Sequence, residues 1–290
     1  MIALALCRFA HFMAAMLAFG SSAFLWLYAP ADLRRALAPK IRRLALVASL
    51  VALATAILWL ALEAASMADD PAAAFDSGMI AAVLTDTEFG QAWVAHLALA
   101  VAFVAAALFA PRDAWGAIAI LSGLMLASLA LVGHAAMQTG LVGALHRANH
   151  AVHLLTTGAW LGGLLPFAMC RDAYAANDLR TDAVAAMTLF SFYGHFIVAA
   201  IVATGIVNIA LISGHPPLPP TTPYRALLDI KIGVAAIMIL LALFNRYWLT
   251  PHLRSDANAL ATLRLTSTTE VALGTIAVAL VSLFALLDPA

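Results

Sequence analysis

Long apolar runs recur along the whole chain, and they limit the possible folds more than any other feature. Eight of them lie near residues 2–28, 44–67, 89–110, 114–139, 146–169, 183–213, 224–249 and 261–287. A helix crosses a bilayer in about 20 apolar residues. Lipid offers the backbone no water, so only helices and closed barrels span it. The runs lack the alternation of barrel strands. The expected fold is therefore all-α: a polytopic transmembrane helical bundle with eight transmembrane helices, residues 1–290 forming a single integral membrane domain. The chain is 64% hydrophobic and 10% charged, far below the roughly 25% charged residues of soluble domains. Fifteen Lys and Arg balance fifteen Asp and Glu, so no nucleic-acid partner is expected.

The first run contains small residues, Gly20 to Ala23, that resemble a signal-peptide cleavage site. Its early charge, Arg8, lies inside the run, and the apolar residues continue through Phe24 to Tyr28. It reads as a retained helix. Arg34, Arg35, Lys40, Arg42 and Arg43 fill the predicted loop 29–43, whereas Asp69, Asp70, Asp76, Asp86 and Glu88 fill 68–88. Alternating crossings put Arg112, Arg171, Arg180, Arg246, Arg254 and Arg264 beside the first basic group. Eleven of the fifteen basic residues then share one side, which the positive-inside rule makes cytoplasmic. Both termini are expected outside, in the periplasm of a bacterium whose inner membrane holds the chain. Phe75, Met79, Ile80 and Leu84 among the acids of 68–88 predict a short outer amphipathic helix, able to cap the bundle or dock a periplasmic partner.

Histidines supply the chemistry. In HRANHAVHLL, His146, His150 and His153 fall at i, i+4 and i+7, one face of a helix. Lipid disfavours such a stripe, and imidazole is the commonest metal ligand. The helical rise puts all three within about 10 Å of the outer end of the fifth run. His134 and Met137 close the fourth run. His96 lies about two turns into the third, and His11, Met13 and Met16 lie in the first. Six histidines from four helices are thus expected in the outer half as a metal or cofactor site. Imidazole suits Cu, Zn, Fe and Ni, and thioethers tilt the preference towards Cu(I). Carboxylates are scarce at this level: Glu63 lies near the interface, and Asp229 is expected to pair with Arg225. The alternatives are haem held between facing histidines and plain interhelical hydrogen bonding. His215 and His252 are expected to be solvated.

Deeper in the bundle, His195 shares a face with Ser191, and Glu270 lies about a turn and a half into the last helix. A buried carboxylate in a membrane marks a pathway, a proton site or a structural pair. One reading is an ion route from the outer histidines past His195 to Glu270; the other is two packing contacts. Gly162 and Gly163 predict close helix approach, and Pro166 a kink. Trp160 is expected to pack inside, as are Lys231 and Asn245, which share a face. HExxH, CxxC, P-loop and dinucleotide patterns are absent. Cys7 and Cys170 fall at opposite membrane sides, so no disulfide joins them. No enzymatic activity is expected.

Several stretches carry a family resemblance: GHA at 133–135, HAVHLLTTGAWLGGLLPF at 150–167 and the run from Phe190 to Asn208 ending TGIVN. PYRALLDIKIG at 223–233, FNRYWLTP at 244–251 and EVALGTIAVAL near the C-terminus follow in order. From about residue 130 onward the chain resembles the bacterial copper resistance protein D family of inner-membrane proteins. The first 130 residues match it mainly in helix layout. The resemblance implies copper handling: binding at the outer histidines, passage inward from the periplasm without covalent chemistry, and a small periplasmic copper-binding protein as partner. A copper sensor or assembly factor that does not transport is a further alternative.

Overall fold

The computed structural model describes residues 2–175, 177–213, 222–252 and 258–287. In chain order the helices are α1 (Ile2–Leu27), α2 (Ala31–Ala68), α3 (Ser77–Asp86), α4 (Glu88–Phe109) and α5 (Trp115–Ser128). They continue as α6 (Gly140–Ala175), α7 (Arg180–Ser213), α8 (Pro223–Phe244), the single turn α9 (Thr250–His252) and α10 (Ala259–Phe284). Among the described residues there is no strand, so the all-α expectation holds. Seven helices among the described residues, α1, α2, α4, α6, α7, α8 and α10, are long and apolar enough to cross a membrane. Phe196, Ile206 and Leu240 on α7 and α8 are more than 60% exposed. Such apolar surface belongs in the lipid bilayer, where this multi-pass protein sits.

The fourth predicted run, 114–139, departs from a single helix. Its α-helix ends at Ser128, and the chain goes on in short 3-10 turns, Leu129–Leu131 and Gly133–Ala136. Glycine punctuation explains this: Gly133 and Gly140 take φ of +74° and +65°, a left-handed conformation that only glycine adopts freely.

At the centre stands α1, packed on α2, α5, α6 and α10. Its crossing with α6 depends on glycine. A Cβ on Gly20 would lie 2.6 Å from the Gly162 Cα and overlap the Gly158 carbonyl oxygen, and one on Gly162 would overlap that of Met16. The two backbones therefore touch, and Ser21 Oγ donates to the Gly162 carbonyl at 2.9 Å. Hydrophobicity cannot drive helices together within lipid, so close packing of small residues does. Gly163 admits the Phe190 ring of α7, as its predicted role requires. Pro166 lies inside α6 without ending it, and Trp160 is buried as expected.

The predicted loop 29–43 is helical instead, because α2 starts at Ala31. Its Ala, Leu, Arg and Lys are all good helix formers. A 38-residue helix is about 57 Å long, nearly twice the roughly 30 Å hydrocarbon core, so its basic turns stand outside the lipid. They cap other helices: Arg42 donates to Ala110 O at 2.7 Å and Pro111 O at 3.1 Å, and Arg34 to Ala29 O at 3.1 Å. Those are the carbonyl ends of α4 and α1, which lack intrahelical partners. Arg171 also reaches Leu263 O, in the first turns of α10, at 3.3 Å, and Arg264 pairs with Asp172 at 3.3 Å. The basic residues thus gather where α1, α4 and α6 end and where α2 and α10 begin. Arg35–Asp32 is the other ion pair among the described residues, so the expected Arg225–Asp229 pair does not form. An i, i+4 pair at an interface is worth only a few tenths of a kcal/mol, roughly, too little to fix two side chains.

Residues 68–88 contain the expected short helix, α3, preceded by a 3-10 turn (Pro71–Phe75). Asp76 caps α3 through Gly78 N at 2.8 Å, and Thr87 caps α4 through Gly90 N at 2.9 Å. Met79, Ile80 and Leu84 pack against the core, while Phe75 stays 91% exposed.

Candidate functional site

The six histidines expected in the outer half do not converge on one cage. Among the described residues no three His, Cys, Asp or Glu side chains meet in a group able to hold a metal ion. They form two separate sets, because depth along a helix does not determine which helices are neighbours.

The first set lines the α6–α7 contact. Thr204 gives its hydroxyl proton to Ala200 O at 2.5 Å, so its oxygen accepts from His153 Nδ1 at 2.9 Å. His153 is left with a lone pair on Nε2. A Cβ at Gly205 would sit 3.5 Å from the His153 ring, so glycine leaves that ring its room. Asn149 Nδ2 donates to Asn208 Oδ1 at 2.9 Å, which turns Asn208 Nδ2 towards His150 Nδ1 at 3.2 Å. His150 therefore accepts at Nδ1 and carries its proton on Nε2. Its ring lies nearly parallel to that of His153, with centroids 6.3 Å apart.

His146 is fully buried. Gln138 Nε2 donates to Leu211 O at 2.6 Å, which leaves Gln138 Oε1 to accept from His146 Nδ1 at 2.5 Å. The His146 Nε2 is buried with no hydrogen bond of good geometry, although Asn208 lies close enough to interact with the ring. Two imidazoles on this face thus offer lone pairs while their other nitrogens are held by polar groups, the usual arrangement of metal-ligating histidine. His134 lies edge-on to Tyr224 of α8 at 5.8 Å, and both His134 and Lys231 are within electrostatic range of His150. Met137 follows the Gly133–Ala136 turn and is 65% exposed.

The second set joins α1 and α4. His11 and His96 are both buried, their Nε2 atoms 3.1 Å apart. His11 Nδ1 lies 2.9 Å from Thr55 Oγ1, and His96 Nδ1 lies 2.8 Å from Ser128 Oγ. Trp93 stacks on His96 at 4.5 Å and Trp59 meets His11 edge-on at 5.9 Å. Cys7, one turn before His11, donates Sγ–H to Thr55 O at 3.2 Å. Both Cys7 and Cys170 are free and buried.

Closer to the basic face, α6, α7, α8 and α10 line a partly open cavity of about 600 Å³ whose lining includes Ser191, His195, Asn245, Arg246 and Glu270. His195 Nε2 lies 2.9 Å from Tyr247 Oη. The buried Glu270 accepts from Asn245 Nδ2 at 2.8 Å, and Thr266 donates to Asn245 Oδ1 at 2.5 Å. Asn245 opens a π-helical segment (Asn245–Leu249), a distortion often found at functional positions. The two residues read as a deeper set therefore face one cavity, and Asn245 bonds inside the bundle as expected. His252 is exposed, and His215 lies outside the described residues.

Sequence reasoning missed the partners that set the histidine protons: Thr55, Ser128, Gln138, Asn149, Thr204 and Asn208. Their one signal is polarity inside apolar runs, with Thr204 and Asn208 spaced i, i+4 on one face.

Comparison with known proteins adds a family. The family model for "Copper resistance protein D-like, N-terminal domain" matches residues 1–144, and that for "Copper resistance protein D" matches residues 184–284. The inner membrane protein YebZ of Escherichia coli (strain K12) is 36% identical over 284 residues, 97% of each chain. Copper resistance protein D of Pseudomonas syringae pv. tomato is 30% identical over 220 residues, 71% of each chain. No solved structure matches.

Proposed function

We propose that this chain, which belongs to the copper resistance protein D family, takes copper from the periplasmic side of the inner membrane and moves it towards the cytoplasm. The observation that carries this reading is the α6–α7 face. His146 and His153 there offer Nε2 lone pairs while Gln138 and Thr204 hold their Nδ1 protons. These donors fit copper, which accepts imidazole readily. In this reading Trp115–Leu131, the shorter apolar segment, completes an eighth crossing and both termini are periplasmic. The basic face is then cytoplasmic. The cavity holding His195 and Glu270 lies on the inward half of the path, as an acceptor for copper leaving the histidines.

A small periplasmic copper-binding protein delivers the ion, and the exposed Phe75 beside α3 offers it a contact. No catalytic step is proposed. Haem is the competing ligand, but Trp59 and Trp93 pack against the His11 and His96 rings, where a porphyrin would have to extend sideways. Metal analysis of the purified protein, with its absorption spectrum, tests the reading. Bound copper that His153→Ala diminishes supports it, and bound iron with a Soret band defeats it.

A further inference from the structure

With the Thr55 and Ser128 hydroxyl protons placed on backbone carbonyls, His11 and His96 share no proton between them. Thr55 Oγ1 gives its one proton to backbone carbonyls, Val51 O at 2.6 Å and Ala52 O at 3.1 Å. Ser128 Oγ likewise donates to Met125 O at 2.7 Å. Each hydroxyl therefore accepts from the imidazole beside it, so both histidines carry their proton on Nδ1. Their Nε2 lone pairs then point at one another across 3.1 Å. Two neutral acceptors at hydrogen-bond distance in a buried site repel, unless a positive charge lies between them.

We propose that His11 and His96 form a two-coordinate site for a soft monovalent cation, Cu(I) or its analogue Ag(I), held between the two Nε2 atoms. Metal–imidazole bonds are about 2 Å long, so a linear pair spans about 4 Å and the rings need separate by less than about 1 Å. Zinc prefers four protein ligands, and no third His, Cys, Asp or Glu joins this pair among the described residues. A d¹⁰ monovalent ion is satisfied by two. Thr55 and Ser128 orient the rings as outer partners of metal-bound histidine do. Trp59 and Trp93 cover the pair, excluding water and presenting π-faces that tolerate a cation. The charges alongside are Arg8, 4.8 Å from the Trp59 ring, and Glu63 within its range. They offset one another.

The inference rests on the copper reading only for the identity of the ion, and silver tests the pair independently of transport. Full-length protein in detergent is loaded with Ag(I), passed through gel filtration, and measured for bound metal and for silver-edge X-ray absorption. The wild type is expected to show a two-nitrogen component that His96→Ala loses with one equivalent of silver and that His153→Ala keeps. Ser128→Ala retains both ligands and removes one ring's anchor. It is expected to fold and to weaken silver binding roughly 10- to 100-fold, as loss of an outer partner does. A two-nitrogen component that survives His96→Ala, or wild-type affinity in Ser128→Ala, overturns the proposal. Should silver bind as described while copper uptake is absent, the transport reading alone falls.

Discussion

His153 owes its free Nε2 to Thr204, whose own proton is committed to Ala200 O one turn earlier on α7. Thr204→Val preserves the shape but removes the acceptor, so His153 loses the bond that fixes its tautomer. Copper affinity is expected to fall roughly 10- to 100-fold while the thermal midpoint barely moves, which a chelator competition beside a melting curve will show. The histidines themselves were legible in the sequence, because ionisable residues inside apolar runs are rare and seldom idle. Thr204 was not. A threonine in a membrane helix ordinarily bonds its own i−4 carbonyl, and Thr204 does so too; only the fold places His153 against its remaining lone pairs. Glu270 was legible as a buried carboxylate, whereas its shared cavity with His195 required the packing of α7 against α8 and α10.

Helices meet in this bundle where side chains are smallest. Gly162 was visible in advance as a close-approach residue. Its partner Gly20 sat among small residues that imitate a cleavage site, a pattern that conceals an α1–α6 contact. Gly162→Ala would drive a Cβ into the Met16 carbonyl oxygen. Backbone must move, so destabilisation is expected at the upper end of the about 1–3 kcal/mol typical of overpacking, read as a lowered melting midpoint in detergent. Gly194, where an added Cβ would meet nothing within 4 Å, is the control: Gly194→Ala should leave the midpoint in place. Element boundaries were less legible than element existence. The basic stretch of α2 reads as a loop when hydropathy alone sets the limits, yet its residues favour helix and its arginines find the carbonyl ends of α1 and α4. The fourth run stopped being one α-helix at Ser128, and after a short 3-10 turn the positive φ of Gly133 keeps it from resuming, although apolarity continues.

Across the molecule, charge asymmetry and helix order set the expected orientation. Cysteine placed at Arg35, whose side chain is 79% exposed, should react with an impermeant thiol reagent only after the inner membrane is opened. Cysteine at Phe75 should react from the periplasm without opening; the reverse pattern contradicts the proposed orientation. Class and helix order could be read before folding, since each depends on position along one chain. The division into two histidine sets could not, because neighbour relations among α1, α4, α6 and α7 come only from packing. Inward movement of copper ties both sets and the Glu270 cavity into one account, and uptake into proteoliposomes under reducing conditions tests it most directly. Wild-type protein should accumulate copper in the lumen well above empty vesicles, and both His153→Ala and Glu270→Gln should cut the initial rate roughly tenfold, about 1.4 kcal/mol in the barrier. Wild-type accumulation no greater than that of empty vesicles, or rates unchanged in both variants, would contradict it.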